Sequence, residues 1–476
     1  MSLLNAVAGK LPLRSKLLYG SGSIGYGIKD NGFATFLLFY YEQVIGLDAG
    51  LVGLAIALAL VADAFIDPAV GQFSDRTRTP IGRRHPWLYG AAIPIIVAWL
   101  LLWQPPELGQ TGLFFYLFGT ALLVRMAFSA YEVPALALLP ELSSDYHDRT
   151  AIMRYRFLFG WAGGLFIMFL AYAIFFVPSE KYPIGLLNRD GYEGYAIFGA
   201  CVMFAAVVIS ALGTHKRVVA TYRKAKSFPE AAESLSQIMA TFRYRPFMLL
   251  MLAGVFAFTN QWLVFALSPY LFTHVWEFRQ PDFTAYAILL FGAAVLAFVM
   301  VTPVSMKLGK ARAASILTLI ALAIGTAPYW LRIFNIFPTP GEALMIPVLF
   351  ALLLVATASS IAAMILTMSM IADVTDQYEH DTGKRTEGLF SSGMFFMQKV
   401  VNGLGILLAS QIIAFIGLPR GAEPGAVDGG IVDNLAFIYL IIATILALTG
   451  AWAYTKFPLG EADHQKRMAA RTGTDE

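Results

Sequence analysis

Twelve apolar segments, each long enough to cross a lipid bilayer as a helix, divide the sequence. A membrane-spanning helix needs about 20 mostly apolar residues, and polar or Pro/Gly-rich breaks separate the segments. Only 14% of the residues are charged, compared with about 25% in soluble proteins. The sequence therefore predicts an all-α membrane protein with twelve transmembrane helices, near residues 18–44, 50–73, 87–104, 112–138, 157–178, 194–213, 246–274, 284–306, 313–334, 343–372, 388–417 and 433–456.

The longest polar segment separates the sixth predicted helix from the seventh. It covers residues 214–245 and is rich in lysine and arginine. We interpret it as a cytoplasmic linker between an N-terminal six-helix bundle, residues 1–213, and a C-terminal bundle with its tail, residues 246–476. The two halves echo each other in "LLPELSSDYHDRTAIMRYR" and "MIADVTDQYEHDTGKRTEG". Parallel six-helix repeats are the plan of major facilitator transporters, and this is the fold that we predict.

The distribution of basic residues gives the predicted orientation. The loops of one side contain most of the 34 lysines and arginines, whereas the opposite loops contain only Lys181, Arg189, Arg279 and Arg420. Because cytoplasmic loops carry an excess of positive charge, we predict an integral plasma (bacterial inner) membrane protein with both termini in the cytoplasm. The net charge of +3 is too small to indicate a nucleic-acid partner.

Seven charged residues within or at the ends of the apolar segments are the strongest functional signals. A charge at the centre of a spanning helix costs about 2.5–3.5 kcal/mol, so such residues are rare and mark ion or substrate paths. All but one lie in the first half, which predicts that this half holds the coupling chemistry. The set comprises Asp30, Asp63, Asp67, Arg125, Glu132, Arg156 and Lys399.

Asp63 and Asp67 are four residues apart, so one face of a helix presents both carboxylates. Two close carboxylates share a hard cation through their oxygens, or repulsion and burial drive one of them to take a proton. The pair therefore predicts a site for a monovalent cation, Na⁺ or H⁺. The alternative is that these acids pair permanently with Arg125 or Lys399 and only hold helices together.

Two further acids lie beside aromatic residues, in "GYGIKDNGFATFLLFYY" for Asp30 and "SAYEVPALALLP" for Glu132. Carboxylates accept hydrogen bonds from a polar ligand while aromatic rings cover its apolar faces, so we predict substrate contacts at both. The alternative is a buried, hydrogen-bonded acid without a ligand. Arg125 lies seven residues before Glu132 on nearly the same helix face, and we expect it to neutralise that carboxylate.

The segment after the second helix, "GQFSDRTRTPIGRRHPW", predicts a cytoplasmic gate formed by Asp75, Arg76, Arg83 and Arg84. The alternative, ordinary cytoplasmic positive charge, explains the arginines but not their order after Gly71 and Asp75. Nucleotide-binding and metalloprotease motifs are absent from the sequence. We therefore expect neither an enzyme nor a cofactor other than the coupling ion.

These motifs resemble the glycoside–pentoside–hexuronide:cation symporters of the major facilitator superfamily. The resemblance rests on "DAFIDPAVGQFSDRTRTPIGRRHPW", "YEVPALALLPEL", "YRF" and "IADVTDQYEHDTGKRTEG", and it spans almost the whole chain. It implies that Asp63, Asp67 and the Ser129 hydroxyl form the cation site. It also implies a sugar site at Asp30, Glu132 and Arg156, and a role for Lys399 at both sites.

Two departures from the family pattern concern the ion and the substrate. Ile66 stands where the resemblance implies an asparagine beside the second aspartate, which leaves both Na⁺ and H⁺ open. Leu136 replaces a tryptophan that covers a galactosyl ring. We expect a monomeric symporter that imports a glycoside, sugar or sugar acid with a cation by alternating access. The alternatives are a sodium-dependent lysophospholipid symporter of a related branch, a drug/H⁺ antiporter and a membrane sensor without transport.

Overall fold

A computed structural model describes residues 10–143, 145–224, 235–383 and 387–458. Twelve long helical elements follow one another, and no strand occurs within the described ranges. The prediction of an all-α membrane protein is confirmed. The first element, α1, consists of Leu13–Ser21 and Ser23–Asn31 and continues to Val44 through wide π-helical turns at Gly32–Phe36 and Tyr40–Val44.

The remaining long helices are labelled in chain order. Those of the first half are α2 (Ala49–Arg76), α3 (His85–Trp103), α4 (Gln110–Ala137), α5 (Tyr146–Leu170) and α6 (Arg189–Lys224). Those of the second half are α7 (Arg245–Tyr270), α8 (Gln280–Leu308), α9 (Lys310–Ile333), α10 (Met345–Thr382), α11 (Glu387–Ile416) and α12 (Gly429–Thr455).

Eleven helices in the described part of the chain are long and apolar enough to cross a membrane, and α1 is not among them. A turn at Gly22 divides α1, and Lys29 and Asp30 interrupt its apolar run. Only glycine fits at this turn, because a Cβ atom on Gly22 would lie 1.8 Å from the Tyr131 hydroxyl oxygen. The first of the twelve predicted spans is therefore a broken, partly polar element.

Two helices extend beyond their predicted ends. α6 continues to Lys224, through the first part of the predicted linker 214–245, and a short helix, Leu235–Thr241, forms near its far end. Residues 225–234 of that linker lie outside the described residues. α10 reaches Thr382, where the predicted span stops at residue 372. An apolarity criterion cannot detect a helix that continues after it has left the bilayer.

The chain separates into two compact units, Met1–Glu233 and Ser234–Glu476. In the first unit α1 packs on α5 and α6, α3 packs on α4 and α6, and α2 packs on α4. In the second unit α7 packs on α11 and α12, α9 packs on α10 and α12, and α8 packs on α10. The two units thus repeat one pattern of helix contacts, shifted by six helices.

Glycine allows α1 and α5 to approach at backbone distance. A Cβ atom on Gly27 would lie 1.9 Å from the carbonyl oxygen of Gly160 and 2.8 Å from the backbone nitrogen of Gly164. Membrane helices associate through such small residues because lipid provides no hydrophobic driving force between them. Asp30 and Arg156 therefore lie on two helices, α1 and α5, that are in direct contact.

We predict that Gly27→Ala destabilises the protein, because the added methyl group collides with backbone that cannot rotate away. Overpacking of this kind costs about 1–3 kcal/mol, which would appear as a lower unfolding temperature in detergent. Gly90→Ala is the matched control, since a Cβ atom there meets nothing within 4 Å. Equal unfolding temperatures for the two variants would contradict the close α1–α5 contact.

Candidate functional site

Three side chains predicted for the cation site lie together where α2 packs on α4. The Ser129 hydroxyl oxygen lies 2.9 Å from Asp63 Oδ1 and 2.6 Å from Asp67 Oδ1. Asp63 is buried, with 2% of its surface exposed, and Asp67 is half-buried. The four-residue spacing on α2 and the serine on α4 therefore bring three oxygen-bearing side chains to one point.

The hydroxyl between the two carboxylates has only one proton. It can donate to Asp63 or to Asp67, but not to both at once. Its second oxygen–oxygen contact, also shorter than 3 Å, is repulsive unless a carboxylate is protonated or a cation bridges the oxygens. The geometry therefore suits two aspartates and one added cation.

Arg125 holds the other side of Asp63. Its Nη2 and Nε atoms lie 2.9 Å and 3.0 Å from Asp63 Oδ2, and only 3% of the arginine is exposed. The expectation that Arg125 neutralises Glu132 is wrong. Seven residues along a helix span about 10 Å, whereas the α2–α4 contact brings Asp63 directly against the guanidinium. Asp63 therefore has its own guanidinium partner within the first unit.

Glu132 pairs instead with Arg156 of α5. The Arg156 guanidinium donates a hydrogen bond to Glu132 Oε1 and lies 5.0 Å from the centre of the Tyr19 ring. The Tyr19 hydroxyl in turn donates to the backbone carbonyl of Ala135. Arg156 is buried, whereas the Glu132 side chain is 19% exposed. The second carboxylate oxygen, Glu132 Oε2, is buried and has no hydrogen-bond partner in the described part of the chain, so it remains for an added donor.

Asp30 pairs with its neighbour Lys29 in α1. Lys29 Nζ lies 3.1 Å from Asp30 Oδ1 and 4.0 Å from the centre of the Tyr26 ring. The lysine side chain is 4% exposed and the aspartate side chain 32%. As in the Glu132–Arg156 pair, the base is buried and the acid is accessible. Lys29 was not among the predicted site residues, although its place beside Asp30 was a signal.

Three of the four predicted gate residues, Asp75, Arg83 and Arg84, form a buried cluster next to the end of α2. Arg84 donates hydrogen bonds to Ser74 and Asp75, and Arg83 Nε lies 2.9 Å from Glu141 Oε1. Arg83 and Arg84 are 3% and 4% exposed, so they are not ordinary surface charges. Arg76, in contrast, is exposed.

Glu141 is a member of this cluster that the sequence analysis did not single out. It lies in the short helix Leu139–Leu142, and the acid that ends the apolar helix in "LLPEL" was the signal. Burial raises the pKa of the Glu141 carboxyl, and the two nearby arginines oppose that shift. Burial lowers the pKa of Arg84, because it disfavours the charged guanidinium just as it disfavours the charged carboxylate. The charges of the cluster therefore depend on one another.

Lys399 lies in α11, in the second unit, where its side chain is half-buried. Its assignment to the cation and substrate sites stays a prediction from the family resemblance. The other charged residues of the predicted site lie in the first unit, where acids and bases come together. The ion pairs are Lys29–Asp30, Glu132–Arg156 and Arg125–Asp63, and Asp67 lies beside Asp63.

The Arg125–Asp63 pair predicts a strong non-additive effect on stability. Asp63→Asn and Arg125→Gln should each lower the free energy of unfolding by about 3–5 kcal/mol, because each leaves a buried charge unpaired. The double variant should lose less than the sum of the two. Thermal unfolding in detergent measures all three.

An exposed ion pair supplies the control for this cycle. Lys181 and Asp190 lie 3.9 Å apart with side chains 69% and 66% exposed, and exposed pairs of this kind contribute little. Lys181→Gln with Asp190→Asn should leave the unfolding temperature unchanged. Additive losses at Asp63 and Arg125 would contradict the buried pair.

Residues 18–461 match a protein family described as MFS/sugar transport protein. The chain is 25% identical to an uncharacterised symporter of Synechocystis over 93% of this chain and 94% of that protein. It is 24% identical to a putative glycoside/cation symporter of Escherichia coli, with coverage of 92% and 90%. A sodium-dependent lysophosphatidylcholine symporter of Danio rerio is 23% identical, with coverage of 95% and 86%.

The fold is also that of solved transporters. The xylose transporter of Escherichia coli superimposes with a TM-score of 0.59 at 13% identity, over 94% of this chain and 96% of that one. The protein is therefore an integral membrane transporter and not an enzyme. The match over nearly the whole chain, together with the buried charges of the first unit, identifies it as a member of the glycoside–pentoside–hexuronide:cation symporter family of the major facilitator superfamily.

Proposed function

We propose that the protein imports an uncharged glycoside together with H⁺, which binds at Asp63 and Asp67. The observation that carries the proposal is the single Ser129 hydroxyl shared between the two carboxylates, at 2.9 Å and 2.6 Å. A proton on one carboxylate gives each of these contacts a donor and an acceptor. Loss of that proton leaves two acceptors facing each other.

The shared hydroxyl supports one coupling ion per cycle. One added H⁺ or one Na⁺ on the two carboxylates removes the repulsion at the Ser129 hydroxyl, and a second ion is not needed. Ile66, which precedes Asp67, offers no side-chain oxygen, and Arg125 already occupies the far oxygen of Asp63. Na⁺ needs several oxygen ligands whereas H⁺ needs one, so this donor set favours H⁺.

The proposed substrate contacts are the two ion pairs with accessible acids. Glu132 and Asp30 are the more exposed members of their pairs, and a carboxylate held by a base accepts hydrogen bonds from sugar hydroxyls. Arg156 supplies donors at the same place. Each pair is electrically balanced, which favours an uncharged sugar over a sugar acid. Lys399 keeps its assignment to both sites as part of this proposal.

Helix α4 connects the two sites. It carries Ser129 of the cation site and Glu132 of the substrate site, three residues apart and therefore on neighbouring positions of one helix surface. A cation that draws Ser129 and the aspartates together also fixes the turn that positions Glu132. We expect the resulting coupling free energy to be about 1–3 kcal/mol, and it is reciprocal. Substrate therefore tightens cation binding by the same factor.

A lysophospholipid symporter is the second candidate, because a relative from Danio rerio is described as a sodium-dependent lysophosphatidylcholine symporter. Uptake of lysophosphatidylcholine driven by a sodium gradient would favour it. Uptake of methyl glycosides driven by a proton gradient favours the sugar symporter. Both assays use the same proteoliposomes, so one preparation distinguishes the two functions.

We predict that Asp67→Asn abolishes accumulation driven by a proton gradient but preserves substrate exchange at equilibrium. The amide resembles the protonated acid, so the carrier cycles without taking up a proton. Proteoliposomes loaded with methyl β-D-glucopyranoside, methyl β-D-galactopyranoside or methyl β-D-xylopyranoside measure both activities.

Asp48→Asn is the control for this prediction, because Asp48 is an exposed residue that precedes α2. It should accumulate substrate as the wild type does. Accumulation by Asp67→Asn at the wild-type level would remove Asp67 from the coupling site. Stimulation of the wild type by sodium alone would replace H⁺ with Na⁺ as the coupling ion.

We predict that Glu132→Gln weakens sugar binding at least tenfold, because the strongest acceptor of the substrate site becomes a neutral amide. The pH dependence of unliganded thermal stability should remain, since the aspartates are intact. Glu107→Gln, at an exposed position, is the matched control. Wild-type affinity in Glu132→Gln would place the substrate site elsewhere.

A further inference from the structure

The second unit contains a partly open cavity of about 130 Å³ among α7, α9, α10 and α12, with Tyr286 of α8 at its side. The corresponding helices of the first unit, α1, α3, α4 and α6, pack around large side chains. These are Ile28, Trp99, Phe128 and Met203, none more than 2% exposed. The two units repeat one pattern of helix contacts, so the cavity marks a difference in side chains between the repeats.

Small residues on α9 and α12 create the space. Ala321 and Gly325 line it from α9, and Ala443, Ala447 and Gly450 line it from α12. Larger residues at these positions would close the cavity, as the tryptophan Trp99 of α3 helps to do in the first unit. The apolar part of this side is the patch of alanines and glycines, and Tyr329 of α9 and Tyr439 of α12 border it.

The opposite side, formed by α7 and α10, is polar but uncharged. Asn260 and Gln261 of α7 face Thr357 and Ser360 of α10 across the cavity edge. Ser360 donates a hydrogen bond of 3.0 Å to Gln261 Oε1, which leaves the two amide protons of Gln261 for another acceptor. Asn260 Oδ1 is buried and has no partner in the described ranges. Such groups need a ligand or ordered water to satisfy them.

Charge and size restrict what the cavity can hold. None of the described residues that line it is ionisable at neutral pH, apart from the tyrosine hydroxyls, so a charged group would lose its hydration without gaining a counterion. A cavity of about 150 Å³ accepts one benzene molecule, so 130 Å³ holds at most the atoms of one six-membered ring, and the substituents of a sugar ring would extend through the open side of the cavity. The ligand is then uncharged, ring-sized, polar along one edge and apolar on one face.

We propose that this cavity binds one ring of an uncharged pyranoside, with its hydroxyl edge on Gln261 and Ser360 and its apolar face on α9 and α12. The choice of a sugar rests on the proposed function, whereas the neutrality and size of the site do not. The cavity lies wholly within the second unit and is separate from the charged pairs of the first. It therefore adds selectivity against sugar acids to the transport cycle.

The test is equilibrium binding of radiolabelled methyl β-D-glucopyranoside to the full-length protein in lipid nanodiscs. A Glu132→Gln background removes the first site, so the remaining binding reports the cavity. Ala321→Leu, which fills the cavity, should weaken this binding at least tenfold. Ala323→Leu makes the same change at an exposed position of the same helix and should leave it unchanged.

A second variant avoids the risk that a larger residue disturbs folding. Gln261→Leu changes the side-chain volume far less than Ala321→Leu does, removes the amide protons and should also weaken binding about tenfold. D-Glucuronate, a similar ring with a carboxylate, should compete at least tenfold less well than methyl glucoside. Retained binding in both Ala321→Leu and Gln261→Leu, or equal competition by glucuronate, overturns the proposal.

Two further outcomes separate this inference from the proposed function. Displacement of the label by n-octanol as effectively as by methyl glucoside would make the cavity a site for alkyl chains and would also overturn the proposal. Loss of binding in Ala321→Leu but not in Ala323→Leu supports the sugar cavity, even if no cation gradient drives uptake. If no cation gradient drives uptake, the proposed symport is wrong while the proposed sugar cavity is still supported.

Discussion

The buried ion pair between Asp63 and Arg125 is the interaction on which the first unit depends. It fixes α2 against α4 at the depth where both helices are otherwise apolar. With that contact in place, Ser129 lies between the two aspartates and Glu132 lies one turn further along α4. The pair does more than neutralise a charge, because it determines which residues of α4 meet the proposed cation site and which meet the proposed substrate site.

Charge balance organises the rest of the molecule. Lys29 with Asp30, Arg156 with Glu132, and the Arg83–Arg84 cluster with Asp75 and Glu141 are each close to neutral. The proposed cation site differs, because one Ser129 hydroxyl contacts two carboxylates there. The cavity of the second unit has an uncharged lining, which suits an uncharged solute better than a charged one.

The helices and the local acid pair were predictable from the sequence because both follow from short-range patterns. Apolar length identifies a span, and a four-residue spacing puts Asp63 and Asp67 on one face. The partners were less predictable, because they come from other helices. For this reason Arg125 was expected beside Glu132, and its pairing with Asp63 was given only as an alternative. Glu141 was seen only as the end of a helix.

The burial of Arg83 and Arg84 and the break in α1 were also hard to predict from the sequence, because both depend on residues that are distant in the chain. Basic residues beside a membrane usually lie at the cytoplasmic surface, and nothing in their own sequence indicates that Ser74, Asp75 and Glu141 enclose them. The need for glycine at position 22 comes from Tyr131 of α4, which lies more than 100 positions away in the chain. The cavity of the second unit is likewise the sum of small residues on several helices, none of which is informative alone.

The most direct test of proton coupling through α4 is the number of protons taken up when sugar binds. Calorimetry of methyl β-D-glucopyranoside binding in buffers of different ionisation enthalpy measures this number from acid to alkaline pH. The account predicts that it rises from near zero in acid to about one per sugar as the empty site loses its proton, and that Asp67→Asn removes the uptake. Sugar binding without proton uptake at any pH, or binding that requires sodium, would contradict it.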